Sequence, residues 1–298
     1  MNGIIIIDKP AGWTSHDVVA KLRGALRTKR IGHGGTLDPM ATGVLPVFVG
    51  RATRAAEFCE NADKEYITGL RLGIVTDTQD ITGKVLSENN ITVSLEEIKT
   101  ILPRFTGKQK QIPPMYSAIK KDGKKLYELA RQGKEIPREP RDINIFSLEV
   151  VETPGEQWFD TSDVCLRVKC SKGTYIRTLC HDIGAALGCG GTMVSLRRTR
   201  AGVFTLDTAH RLDDVLSTIL SDTVSDIVKP VDSIFSGFPS ISITESEENK
   251  AKNGALNQTQ KNTVDGTYRV YGQSGEFLLL GSVTDNKITT IKSFFEVK

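Results

Sequence analysis

A chain of 298 residues is long enough for a large domain plus a small one with a sizeable buried core. Its 39% apolar and 25% charged residues are those of a soluble globular protein. No apolar run approaches a membrane span and Ile4 to Ile7 is too short for a signal peptide, so a membrane protein is excluded and a cytoplasmic one expected. The five cysteines, odd in number and without a CxxC pair, point to reduced thiols, and their spacing around His181 matches no common zinc pattern.

The apolar β-branched run Ile4 to Ile7, closed by the turn-forming Asp8-Lys9-Pro10-Ala11-Gly12, predicts a buried strand. Thr14 or Ser15 then caps a helix in which Val18, Val19, Leu22 and Leu26 recur at helical spacing. From Ile31 to Gly50 five glycines and two prolines surround Asp38. Glycine permits close approach of another chain, and Pro39 restricts Asp38 to extended or turn geometry, so the stretch reads as a shaped loop presenting one carboxylate. It reads equally as Asp38 capping a short helix with Pro39 at its first position. Val44 to Val49 predicts a central strand that leads through Arg51, Thr53 and Arg54 into a short helix.

Tyr66, Thr68, Leu70, Leu72 and Ile74 alternate, which places them on one face of a strand. Asp77 and Asp80, among threonines and Gly83, read as a polar turn and not as a metal site. Leu95 to Leu102 is a helix opened by the capping-box pair Ser94 and Glu97. Phe146 to Val151 and Val164 to Cys170 are strand-like, and Ile176, Leu179, Ile183 and Leu187 define a helix after the turn Ser171-Lys172-Gly173-Thr174. Tyr175 and Arg177 leave that apolar stripe at the helix start, facing a cleft. Thr192 to Arg200 combines a strand with three arginines for phosphates. Residues 205–235 are helix-forming, with Leu212, Val215, Leu216 and Ile219 periodic, and beyond Pro239 short alternating strands follow.

The net charge of +3 conceals a segregation. Residues 104–141 hold eleven Lys and Arg against four Asp and Glu, residues 165–200 seven against one, and residues 205–250 three against nine. Two basic regions flanking one loop point to a polyanion substrate; two solvated helical faces are the alternative.

Four stretches, IIDKPAGWTSHDVV, GTLDPMATGVLPV, PPMYSAIKKDGKKLYELAR and SKGTYIRTLCHDIG, resemble in that order the TruB family of bacterial tRNA pseudouridine-55 synthases. The resemblance spans about residues 3 to 200 and is looser beyond. It implies an α+β fold: a mixed, mainly antiparallel sheet with flanking helices over residues 1–236, interrupted by a basic RNA-clamping insertion at about 104–141. A small β-rich PUA-like RNA-binding domain over 237–298 completes it. It further implies that Asp38 is the essential aspartate and that Tyr66, at a sheet edge, stacks on the target base. Tyr175 and Arg177 then line the cleft with the arginine paired to Asp38, Leu196 lies against the reacting uridine, and His33 enters the vacated stack. Lys9 supports the catalytic loop first and touches phosphate second. The implied partner is the T arm of tRNA, bound by a monomer with no obligatory protein partner. An isomerisation involves neither redox change nor hydrolysis, so no cofactor or metal is expected, which agrees with the lack of a Rossmann or P-loop motif.

Two other classes fit parts of the sequence. A non-catalytic RNA-binding module accounts for the basic regions but not for Asp38, Tyr66 and Arg177 together. An aspartate-dependent enzyme acting on a small nucleoside accounts for Asp38 but needs no basic regions.

Overall fold

The isoleucine run forms β1 (Gly3–Lys9), and its alternation divides the molecule. Ile5 and Ile7 enter one apolar core and Ile4 and Ile6 a second, because successive side chains of a strand face opposite ways. This is a computed structural model, and it describes residues 1–121, 123–151, 163–254 and 263–295. After β1, the Thr14 hydroxyl accepts from the Asp17 amide and the Asp17 carboxylate from the Thr14 amide, a capping box that opens α1 (Ser15–Ala25). Paired antiparallel strands β2 (Ile31–His33) and β3 (Thr42–Val49) bracket the Asp38 loop. No helix begins at Asp38: the Ala41 amide donates to the Asp38 carbonyl at 3.0 Å, closing a turn over Pro39 and Met40. A 3-10 segment, Gly50–Ala55, then leads into α2 (Ala56–Asn61).

The predicted alternation holds along β4 (Lys64–Leu72) but not to Ile74. The Gly73 amide donates to Gly190 and its carbonyl accepts from Asn89, which turns the chain out of the main sheet into a separate pair, β5 (Ile74–Thr76) and β6 (Val85–Glu88). The Ser94 and Glu97 capping box opens α3 (Leu95–Ile101) as expected. The basic stretch divides, for β7 (Gly107–Gln111) belongs to the main sheet. The residues after it form a hairpin of β8 (Lys120–Lys121) and β9 (Lys124–Lys125), then α4 (Leu126–Ala130). Next come β10 (Arg141–Val150), β11 (Val164–Cys170), α5 (Ile176–Ala186), β12 (Gly191–Ala201), β13 (Phe204–Thr205), β14 (His210–Arg211) and α6 (Leu212–Leu220).

Among the described residues ten strands make one sheet, ordered β14-β1-β3-β12-β4-β11-β10-β7, with β2 on β3 and β13 on β12. The β1–β14 and β12–β3 pairs are parallel and the rest antiparallel. Tyr66 is therefore not at an edge: β4 lies between β12 and β11, with Tyr66 opposite Arg198 on one side and Val168 on the other. Helices α1, α5 and α6 cover the first core. All five cysteines are buried and unpaired.

A four-stranded sheet follows, β15 (Ser240–Ser242), β16 (Gly266–Tyr271), β17 (Phe277–Thr284) and β18 (Lys287–Ser293), with α7 (Glu245–Lys252) against it. The alternation of short strands was legible in the sequence. The helix was not anticipated, although Thr244 and Glu247 close a capping box at its start. The second core joins this sheet to the first: Phe235 packs edge-on against Phe58 at 5.0 Å and against Phe277 and Phe294 at 5.9 and 5.7 Å between ring centroids. Polar ties rim the contact, from Lys292 to Glu57 at 2.6 Å and from Arg54 to the Ser293 carbonyl at 3.2 Å.

Phe235 is 2% exposed and at the centre of that aromatic cluster. Phe235→Ala should therefore lower unfolding free energy by about 3–5 kcal/mol, measured by denaturant titration. A loss below about 1 kcal/mol would show that the seam closes without it.

Candidate active site

The Asp38 loop is held by buried cations whose hydrogen-bonding capacity goes to backbone carbonyls. Lys9, wholly buried at the end of β1, donates from Nζ to the carbonyls of Pro10, Trp13 and Pro39 at 2.9, 2.6 and 3.2 Å. Its ammonium thus ties the first turn to the loop beside Asp38, and the phosphate contact expected second for Lys9 is not open to a fully buried side chain. Burial is the main influence on Lys9 and lowers it to about 8, with the Asp38 charge opposing. On the far side Arg198, 1% exposed, donates from Nε to the Val44 carbonyl at 2.7 Å and from Nη2 to the Gly35 carbonyl at 3.1 Å. Its backbone presses so closely on Gly43 that a Cβ there would lie 2.2 Å from the Arg198 carbonyl oxygen. That close approach is the physical reason for glycine at the start of β3. Ser15, at the first turn of α1, accepts from the Leu37 amide at 2.8 Å.

So constrained, Asp38 meets Arg177 in the first turn of α5. Arg177 Nε lies 3.0 Å from Asp38 Oδ2, and Nη2 donates to Oδ1 at 3.3 Å, a two-point contact that fixes both the position and the plane of the carboxylate. Arg177 is 5% exposed, so it is no surface arginine. Its remaining donors reach the Thr78 carbonyl at 3.3 Å and the Tyr116 carbonyl at 2.8 Å, and Nη1 lies 3.6 Å from Asp80 Oδ2. Asp80, itself buried, accepts on Oδ1 from the Thr78 hydroxyl and the Thr82 amide, so its other oxygen is turned to the arginine.

Burial is the largest influence on Asp38 and pushes its carboxyl above the ordinary carboxylate range, although a third of the side chain is still exposed. Arg177 and Lys9 pull it back down, and the like charge of Asp80 pushes it up again. Arg177 does favour the ionised form, as the sequence led us to expect, but it works against desolvation.

The apolar wall is built from β4, β12 and the start of α5. Tyr66 is 9% exposed and Leu196 8%, both in the first core, and they sit on neighbouring strands. Burial pushes the Tyr66 phenol up to about 12, with Arg198 opposing. Tyr175, half-buried, is the N-cap residue of α5, and its phenol too is raised by burial. The charge of Asp38 adds to the upward shift of both phenols. His33 stands apart at the end of β2, half-buried, where burial and then Arg198 hold its imidazole below the ordinary value. No group of His, Cys, Asp and Glu arranged for a metal occurs among the described residues.

The arginines expected to bind phosphates are otherwise engaged. Arg197 grips Asp8 with two contacts of 2.9 Å, Arg198 is buried under the loop, and Arg200 donates to the Gly202 carbonyl at 3.0 Å. The sequence reading missed Asp80 and the structural task of Arg198. Asp80 looked like one more turn-forming acid, and nothing local distinguishes a turn aspartate from one facing an arginine 97 positions on.

Comparison with known proteins places these features in context. The profile described as TruB family pseudouridylate synthase (N terminal domain) matches residues 23–176, and that of the tRNA pseudouridylate synthase B C-terminal domain matches residues 177–236. The chain is 42% identical over 299 residues to a tRNA pseudouridine synthase B of Francisella philomiragia, covering 99% of this chain and 95% of the relative. It is 50% identical over 232 residues to one from Alkaliphilus oremlandii, covering 78% and 75%. Among solved structures it resembles a chain of a Cbf5-Nop10-Gar1 complex, with a TM-score of 0.74 at 28% identity over 99% of this chain and 85% of that one. It also resembles a chain of an H/ACA RNP bound to a substrate RNA containing 2'-deoxyuridine, with a TM-score of 0.72 at 26% identity over 99% and 86%.

The like charge of Asp80 gives a titration result. In Asp80→Asn the Asp38 carboxyl should titrate at lower pH than in the native protein, followed by the carbon-13 shift of the labelled carboxyl. An unchanged or higher midpoint would mean that Asp80 acts on Arg177 and not on Asp38.

Proposed function

The chain belongs to the TruB family of pseudouridylate synthases, and from that premise we propose that it isomerises uridine 55 in the T arm of tRNA, with Asp38 as the reacting carboxylate. It is a tRNA pseudouridine synthase. The observation that carries the site assignment is the two-point contact of Arg177 with Asp38, at 3.0 and 3.3 Å, which leaves a third of the Asp38 side chain exposed.

The reaction breaks the bond from uracil N1 to C1′ of the ribose, turns the base and joins C5 to C1′; the hydrogen on C5 leaves as a proton and N1 takes one up, so the product is an isomer of the substrate. Inside a folded T arm the base is stacked, so it must first be extruded at a cost of a few kcal/mol, about what stacking on an aromatic face returns. Tyr66 and Leu196 offer the flat apolar walls for the extruded base, and Tyr175 closes the third side. His33, with its imidazole held toward the neutral form, fills the gap left in the stack. Asp38 works at the ribose as an anion, whether it attacks C1′ or removes a sugar proton, and Arg177 holds it ionised and aimed. Neither step transfers electrons to a cofactor.

The lysines of the β8–β9 hairpin support a clamp on the RNA backbone: Lys120, Lys121 and Lys124 are exposed, while Lys125 and Arg131 flank the Tyr127 ring at 5.4 and 5.3 Å and stiffen the base of the hairpin. The four-stranded C-terminal sheet serves as a second, PUA-like RNA contact. The enzyme so proposed acts as a monomer without an obligatory protein partner, in the cytoplasm where its substrate is.

Tritium release from tRNA labelled at uridine C5 tests the assignment. The native protein should release one tritium per tRNA, and Asp38→Asn none, with tRNA affinity within a few fold of native. Loss of binding along with turnover would make Asp38 a loop support. For the clamp, replacing Lys120, Lys121, Lys124 and Lys125 by Ala should weaken binding and flatten its dependence on log salt by about 0.7 for each phosphate no longer neutralised. Unchanged affinity would remove the hairpin from the RNA interface.

A further inference from the structure

Gln111 ends β7, the edge strand of the main sheet, and marks the point where the chain leaves the sheet for the basic hairpin. It is polar yet 5% exposed. Its carboxamide closes on the backbone of one residue from both sides: Nε2 donates to the Tyr175 carbonyl at 3.0 Å, and the Tyr175 amide donates to Oε1 at 2.8 Å. Only one orientation of the amide satisfies both bonds, since exchanging oxygen and nitrogen would set donor against donor and acceptor against acceptor. The side chain thus acts as a peptide unit, extending the sheet edge by one pairing onto the N-cap of α5. Tyr175 has no side-chain cap bond of its own, and its carbonyl already accepts the Leu179 amide at 3.1 Å.

The segment that follows Gln111 returns to the same place. Five residues on, the Tyr116 carbonyl accepts from Arg177 Nη2, the nitrogen that also reaches Asp38. The chain at the root of the hairpin therefore holds the Tyr175 to Arg177 segment twice, once by the Gln111 side chain and once by the Tyr116 backbone. We propose that Gln111 is a positioning residue for the isomerisation: by locking the backbone of Tyr175 to the root of the hairpin, it sets the Tyr175 ring and the Arg177 guanidinium against Asp38. The proposal rests on Asp38 being the reacting carboxylate. Gln111 touches neither the base nor the ribose, so its effect is on rate and not on RNA affinity. A shift of about 1 Å in a positioned group is enough to cost on the order of 100-fold in rate.

The test is single-turnover pseudouridine formation and tRNA affinity for the native protein, Gln111→Met, Arg177→Lys and the double variant, with Asp38→Asn as the inactive reference. Gln111→Met keeps the length of the side chain and removes both hydrogen bonds. It should slow the single-turnover step about 10- to 100-fold, with tRNA affinity within about threefold of native. Because Gln111 acts through the segment that carries Arg177, the double variant should be little slower than Arg177→Lys alone. Native-like turnover by Gln111→Met, a fall in rate matched by a fall in affinity, or effects that multiply in the double variant would each overturn the proposal. If Gln111→Met does not fold, Gln111→Asn, whose carboxamide falls one methylene short of Tyr175, carries the same expectation. An inactive native protein would instead sink the assignment of function, so the two failures are distinguishable.

Discussion

The structure depends on keeping one carboxylate charged where burial opposes charge. In the proposed reaction Asp38 must sit among apolar groups that receive a base, and burial pushes its proton affinity up. Arg177 offsets this from 3.0 Å, and a buried guanidinium is itself tolerable only because every side of it is engaged, with Thr78, Tyr116 and Asp80 as well as Asp38. The arrangement is therefore a network with one exposed member. Asp38 keeps a third of its side chain exposed, while Asp80 and Arg177 behind it are closed off.

The same economy governs the loop. Lys9, Lys64 and Arg198 are all buried, and each spends its donors on backbone carbonyls: Lys9 on the turn after β1 and on Pro39, Lys64 on the end of α2, Arg198 on Gly35 and Val44. A loop of glycines and prolines cannot satisfy its own carbonyls by regular pairing, so long cationic side chains do it from outside. The cost is visible in Lys9, lowered to about 8. Its linkage has a definite sign. The unfolded chain holds this proton up to the ordinary lysine value, so between about pH 8 and that value the unfolded state binds more protons and Lys9 becomes less costly to bury as pH rises.

The proposed roles are divided between central and edge strands of the sheet. β4 and β12, paired with each other and each with another strand of the same sheet, supply Tyr66 and Leu196, the walls proposed for the extruded base. β7, at the edge, supplies the root of the basic hairpin proposed as the RNA clamp. The second core then fixes the C-terminal sheet to β1 and β3 through Phe235.

What the sequence determined by itself was local. The isoleucine run, the cap at Thr14 or Ser15, the capping box at Ser94, the alternation of Tyr66 to Leu72 and the apolar stripe of α5 each depend on residues within a few positions of one another, and the structure shows each, with Thr14 as the cap. The order of four motifs added the family and, with it, the pairing of Arg177 with Asp38. Tertiary structure alone decided partners whose separation in the chain carries no local signal. Asp38 and Arg177 are 139 positions apart, and their neighbour Asp80 looked like a turn residue until the sheet brought it beside the arginine. Arg198 looked like a phosphate ligand until the parallel pairing of β12 with β3 turned it under the loop. Periodicity reports which face of an element is apolar; which charged group that face will meet depends on strand order, and strand order is a property of the whole chain.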